Sequence, residues 1–183
     1  MGSRQQGLTL IELMITLAVL GVITAIAVPG FNSMIQNTRS ATLGEEMIGA
    51  LQFARSEAIK RGARVTLCGS SDGSSCDGGW TDNWIVVVDT AATDDAASPV
   101  VANAAAVLRF WEAPANGAAV TATQGGGSPT FVRFTRQGTL GLSGTGEVTL
   151  NTSFSGCSNN RAREITVGAA GMLNTKRSTS GCS

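Results

Sequence analysis

The chain has 183 residues and a formal charge of zero, so its size suits one globular domain plus an accessory segment. No global excess of either sign argues for nucleic acid or an acidic substrate as the main partner. It has neither histidine nor tyrosine, which removes the commonest general base, the commonest metal ligand and every Ser-His-Asp or Cys-His nucleophile. The charges are nonetheless uneven. Residues 65–132 carry Asp72, Asp77, Asp82, Asp89, Asp94, Asp95 and Glu112 against Arg109 alone, whereas from Arg133 onward six cations face Glu147 and Glu164.

At the N-terminus, residues 8–28 read LTLIELMITLAVLGVITAIAV, with Glu12 the one charge. As a helix this run spans roughly 32 Å, enough to cross a bilayer core. The candidate cleavage site lies before the apolar run, unlike that of an ordinary secretory signal. Arg4 favours a cytoplasmic N-terminus. An acidic side chain on a membrane helix costs about 2.5–3.5 kcal/mol and calls for a partner or a function. Nothing else in the span is expected to pair with Glu12, which leaves two readings: a carboxyl near the interface, protonated or reaching the headgroups, or one met by a cation from another chain, which an amine freed by cleavage after Gly7 would supply.

Gly7-Leu8-Thr9-Leu10-Ile11-Glu12-Leu13, followed by an apolar helix and Pro29, resembles the class III signal of type IV pilins and of the pseudopilins of type II secretion. The resemblance implies cleavage by a prepilin peptidase between Gly7 and Leu8, N-methylation of Leu8, and Glu12 guiding docking in the membrane. Its partners would be other pilins or pseudopilins and an inner-membrane assembly platform. The chain would be a single-pass inner-membrane protein with a periplasmic head, reaching the periplasm or cell surface in a filament. The sequence departs from the family at Leu8, where Phe is usual.

Pro29 and Gly30 interrupt the apolar run, and a proline there is expected to kink the helix. Phe31, Met34 and Ile35, then Met47, Ile48, Leu51, Ala54 and Ala58 recur at helical spacing, so the helix is expected to continue amphipathically and pack on a domain. Arg61-Gly62 reads as a basic last turn and a C′ glycine. The expected organisation is a leader over 1–7, a transmembrane half-helix over 8–29, an amphipathic half over 30–62 and a β-rich head over 63–183. Within the head, strands are predicted at 64–68, 84–89, 107–111, 130–135, 147–150 and 164–167, separated by turn residues. The Ala-rich stretch 90–106 reads as a loop. The fold class is therefore α+β, a long N-terminal helix against a β-rich head.

Four cysteines behind an export signal suggest two disulfides. Three connectivities exist; Cys68 with Cys76 and Cys157 with Cys182 is favoured, because each pair is nearest in sequence and encloses Gly- and Ser-rich chain. The stretch from Cys68 through Cys76, Trp80 and Trp84 to Asp89 resembles the pattern of H-type (GspH) pseudopilins and the FimT and FimU minor pilins: a cysteine-bounded loop, a tryptophan, then a strand like W-I-V-F-V-D. Trp80 and Trp84 themselves read as core aromatics. Asp72, Asp77 and Asp82 are expected as solvated turn residues rather than calcium ligands, since their spacing fits no EF-hand. No catalytic site, cofactor or metal is expected. Arg161, Arg163, Lys176 and Arg177 form a basic C-terminal stretch able to meet phosphates. The DNA-binding motif of certain FimT-type minor pilins is Gly-Arg-x-Arg; Asn160-Arg161-Ala162-Arg163 keeps its arginines and lacks its glycine. The reading is a structural minor subunit placed near a filament tip, with DNA uptake as the alternative.

Overall fold

A computed structural model describes residues 9–141, 146–158, 161–178 and 182. Among these residues one helix, α1 (Leu10–Arg61), precedes nine strands: β1 (Val65–Ser70), β2 (Asn83–Val88), β3 (Val107–Trp111), β4 (Ala118–Thr123), β5 (Phe131–Phe134), β6 (Leu140–Gly141), β7 (Val148–Phe154), β8 (Ala162–Val167) and β9 (Leu173–Ser178). The chain divides into two compact units, residues 1–35 and 36–183. In the first, the described helical residues expose their apolar side chains all round. That surface includes Phe31, Met34 and Ile35.

The second unit is α+β. From Gln36 onward the helix buries Ser40, Leu43, Gly44, Met47, Ala50, Leu51, Ala54, Glu57 and Ala58, spaced three and four apart as one face of an α-helix requires. Small residues on that stripe let the backbone come close to strands. Gly44 is the tightest point: a Cβ there would lie 2.4 Å from Arg163 Cγ. The helix ends in a Schellman arrangement, with Gly62 at φ +58° donating to Ile59 O at 3.3 Å and Ala63 donating to Ala58 O at 3.3 Å. Before that end, Glu57 accepts from Arg61 at 2.6 Å, and this guanidinium holds its carboxyl below the usual range.

Two antiparallel sheets, ordered β3-β2-β1-β5-β6 and β4-β7-β8-β9, share one core with this half of the helix. Val65, Leu67, Trp84, Val86, Val132 and Phe134 enter it from the first sheet; Val120, Ala122, Val148, Leu150, Ile165 and Val167 enter from the second. Their two-residue spacing is the alternation of strand side chains between faces, and the other face of the first sheet is covered as well, with Cys68, Ile85 and Val87 buried on it. Trp80 and Trp84 are both core residues, and the indole N–H groups donate to Pro129 O at 2.7 Å and Trp80 O at 2.8 Å. On the helix side, Trp111 meets Phe53 edge-to-face with ring centroids 6.1 Å apart.

On the opposite face of the first sheet lies a fully buried ion pair, Arg133 Nε to Asp89 at 2.7 Å. Asp89 also accepts from Thr66 Oγ1 at 2.8 Å and from the N–H groups of Ala91 and Val100, both at 2.9 Å. The remaining Arg133 nitrogens donate to the carbonyls of Asp94 (3.2 Å), Ala96 (2.7 Å) and Ser98 (2.9 Å). The Ala-rich stretch after β2 is thus a loop without repetitive structure over most of its length, held by one carboxylate and one guanidinium. A 3-10 turn at Ala104–Ala106 leads it into β3.

Burial pushes the Asp89 carboxyl up, but its hydrogen bonds from Val100, Ala91, Arg133 and Thr66 outweigh burial and hold it below its ordinary value. A depressed folded value contributes stability that is complete above the unfolded carboxyl value of about 3.9 and is lost as pH falls through the folded one. Melting temperature is therefore expected to hold near neutrality and to fall on acidification below about pH 4, with Asp89→Asn lacking part of that acid slope. Arg133→Met, which leaves the Asp89 charge buried and unpaired, should cost about 3–5 kcal/mol in chemical denaturation. A loss within experimental scatter would show that the pair does not support the fold.

Candidate assembly site

In the first unit the residues that set chemistry are Thr9 and Glu12. Glu12 Oε2 accepts from the Thr9 N–H at 3.2 Å and from Thr9 Oγ1 at 3.1 Å, while the Glu12 N–H donates to Thr9 Oγ1 at 3.3 Å. This reciprocal pair is a capping box, and it places a carboxylate in the first helical turn, where the helix dipole favours negative charge. The expectation that nothing in the span pairs with Glu12 is corrected here: a neutral hydroxyl and a backbone amide three residues away do so. They leave its charge uncompensated. The Thr-x-x-Glu spacing is itself the signature of a capping box. Around and beyond it, residues 10–28 form a helix long and apolar enough to cross a membrane. Gly7 and Leu8 lie outside the described residues.

In the head, the structure joins Cys68 to Cys76 and Cys157 to Cys182. The first bond closes an acidic loop. Asp72 accepts from the Ser74 hydroxyl (2.6 Å) and N–H (2.8 Å) and from Ser75, bonds that hold its carboxyl far below the usual range. Asp77 accepts from Ser71 N–H and hydroxyl at 2.9 and 2.7 Å, and Asp82 from Gly79 N–H at 2.7 Å. Asp72 closes an Asx turn onto Ser74, whereas Asp77 and Asp82 tie back to residues six and three positions earlier. Among the described residues no three His, Cys, Asp or Glu side chains converge as a metal site.

The second disulfide ties the β7–β8 turn to Cys182. That turn sits on the helix: Ser158 donates from N–H and hydroxyl to Asn37 Oδ1 at 2.8 and 3.0 Å, and Ser40 Oγ donates to Arg161 O at 3.0 Å. The Arg39 guanidinium lies 5.5 Å from the Phe154 ring centroid. The four basic residues next to it do not form one patch. Arg161 is exposed; Arg163 packs over Gly44 and approaches Glu45 at 3.9 Å; Lys176 is bonded to Glu164 at 2.7 Å. Arg177 sits opposite Arg163 in the β8–β9 register, whereas Lys176 sits opposite Glu164. Alternation therefore puts Lys176 on the other face of the sheet from Arg163 and Arg177.

Set against known proteins, residues 43–171 match the family described as Type II transport protein GspH, and residues 2–28 match the prokaryotic N-terminal methylation motif. The chain is 32% identical over 82 residues to a fimbrial protein of Pseudomonas aeruginosa, covering 45% of this chain and 53% of that one. It is 38% identical over 63 residues to the type IV major fimbrial protein FimA of Dichelobacter nodosus, covering 34% and 38%. The chain thus spans about half or less of the length of these curated relatives. In structure it is similar to the type IV minor pilin FimU of Pseudomonas aeruginosa, with a TM-score of 0.56 at 22% identity over 76% of this chain and 89% of that one, a likeness of fold. The match over residues 43–171, more than half of the chain, shows that the chain belongs to the GspH family, and the methylation-motif segment, the apolar helix and the α+β head agree with that membership.

Proposed function

We propose that the chain is a structural minor subunit of a type IV pilus or type II secretion filament, without enzymatic activity of its own, acting near the filament tip. In this reading a prepilin peptidase cuts between Gly7 and Leu8, the Leu8 amine is methylated, and the helix holds the subunit in the inner membrane with its head in the periplasm. An assembly platform then draws it into contact with other pilins or pseudopilins.

The observation that carries the reading is the contrast between the two parts of α1. Residues 43–58 bury their apolar stripe in the head, while residues 10–28 expose apolar side chains in every direction. A surface of that kind is stable only in lipid or against other helices of the same kind. Glu12 supports the assembly step because Thr9 bonds its Oε2 without neutralising its charge. The carboxylate stays available to a neighbour's amine. The DNA reading has less support, since Arg163 and Lys176 already have acidic partners and Lys176 lies on the other sheet face from Arg163 and Arg177.

Glu12→Gln preserves an oxygen for the capping box and removes the charge. It should leave membrane insertion intact and lower recovery in sheared filaments by about tenfold. Recovery equal to wild type would sink the role assigned to Glu12. Gly7 replaced by a bulky residue should leave a slower-migrating precursor with an unmethylated N-terminus on mass spectrometry; normal maturation would overturn the cleavage assignment.

A further inference from the structure

The two sheets of the head end in four edge strands: β3 and β6 in one, β4 and β9 in the other. An edge strand offers a row of unpaired N–H and C=O groups, and folded proteins blunt such rows with charge, irregularity, shortness or cover. Three of these edges are blunted. β9 carries the exposed Lys176 and Arg177. β3 carries the exposed Arg109 and pairs across a register shift between Val86 and Val87. β6 is two residues long, and its Leu140 N–H is taken by Ala169 O at 3.0 Å.

β4 has none of these devices. Its sequence is Ala-Ala-Val-Thr-Ala-Thr, it pairs with β7 along all six residues without a bulge, and it contains neither proline nor charge. The chargeless stretch extends well beyond the strand, over residues 113–132. Val120 and Ala122 point into the core while Ala119, Thr121 and Thr123 are exposed. Among the described residues, no turn or loop of this chain donates a backbone hydrogen bond to residues 119–123 or accepts one from them. What fits such an edge is another extended backbone.

We propose that the β4 edge is a strand-addition surface that receives an extended segment from the head of a different subunit of the same filament. The inference rests on the filament-subunit reading above. A second copy meeting through the same strand would need a two-fold axis, which successive subunits of a filament added head to tail do not have. The chain's own remaining edges are charged, irregular or short, so the incoming strand comes from a sister subunit. Its chemistry follows from β4: one row of apolar residues continuing the line of Val120 and Ala122, and small or uncharged residues beside Ala119, Thr121 and Thr123.

The test uses the full-length chain assembled with its sister subunits. A photoreactive benzophenone amino acid in place of Thr121 should crosslink, in purified filaments, to one strand of a sister subunit's head. Thr121→Lys should lower incorporation by about tenfold with an unchanged melting temperature, and Thr121→Val should incorporate normally. Crosslinks only to a second copy of this chain, no crosslinks at all, or normal incorporation of Thr121→Lys would each overturn strand addition while wild-type incorporation upholds the subunit reading. Absence of the wild-type chain from filaments would instead overturn the subunit reading and this inference with it.

Discussion

The head depends on one helical stripe having to serve two sheets at once. Met47 and Leu51 supply volume, while Gly44, Ala50, Ala54 and Ala58 keep the backbone close enough for strands of both sheets to meet the same helix. Large residues at the alanine positions would push the helix off one sheet to satisfy the other. Small ones resolve the conflict by giving up side-chain contact area. The two sheets need no continuous hydrogen-bonded seam between them, because the helix is the surface they share.

The buried Asp89–Arg133 pair solves a second problem, the long connection between β2 and β3. A loop of that length without repetitive structure leaves many backbone groups to be satisfied. Asp89 takes two of its N–H groups and Arg133 takes three of its carbonyls. An isolated buried charge of either sign would be far too costly, and the pair becomes tolerable because nearly every polar atom on it is engaged. Arg64 adds an exposed tie to Asp94 at 3.0 Å. The uneven distribution of charge along the chain thus reflects in part an acidic loop meeting one cation from a later strand, Arg133, and one just before β1, Arg64.

How much of this was legible depends on how local the signal is. The amphipathic half of α1 and its Gly62 stop could be read because spacing and a positive-φ glycine are properties of a few neighbouring residues. The strands rich in Val, Ile, Phe and Trp announced themselves in the same way. β4 did not, because Ala and Thr alternate without a large apolar residue to mark the buried side; β9, Leu-Asn-Thr-Lys-Arg-Ser, is polar because it is an edge; and β6 is too short to have a pattern. The Asp89–Arg133 pair joins residues 44 apart, and only the fold makes them neighbours. Glu12 stands out as a charge in an apolar run, whereas its partner Thr9 carries no charge to mark it.

The Cys157–Cys182 bond has a mechanical consequence for a subunit held by its helix. Asn37 and Ser40 grip the turn that contains Cys157, so tension along this part of α1 enters the sheet close to that cysteine. The closed loop encloses β8 and β9, and a pull that strips them from the sheet cannot draw them out as slack. On the order of 80 Å of extended chain is thereby withheld from stretching. Whatever extends under load lies outside the covalent loop, which stays short.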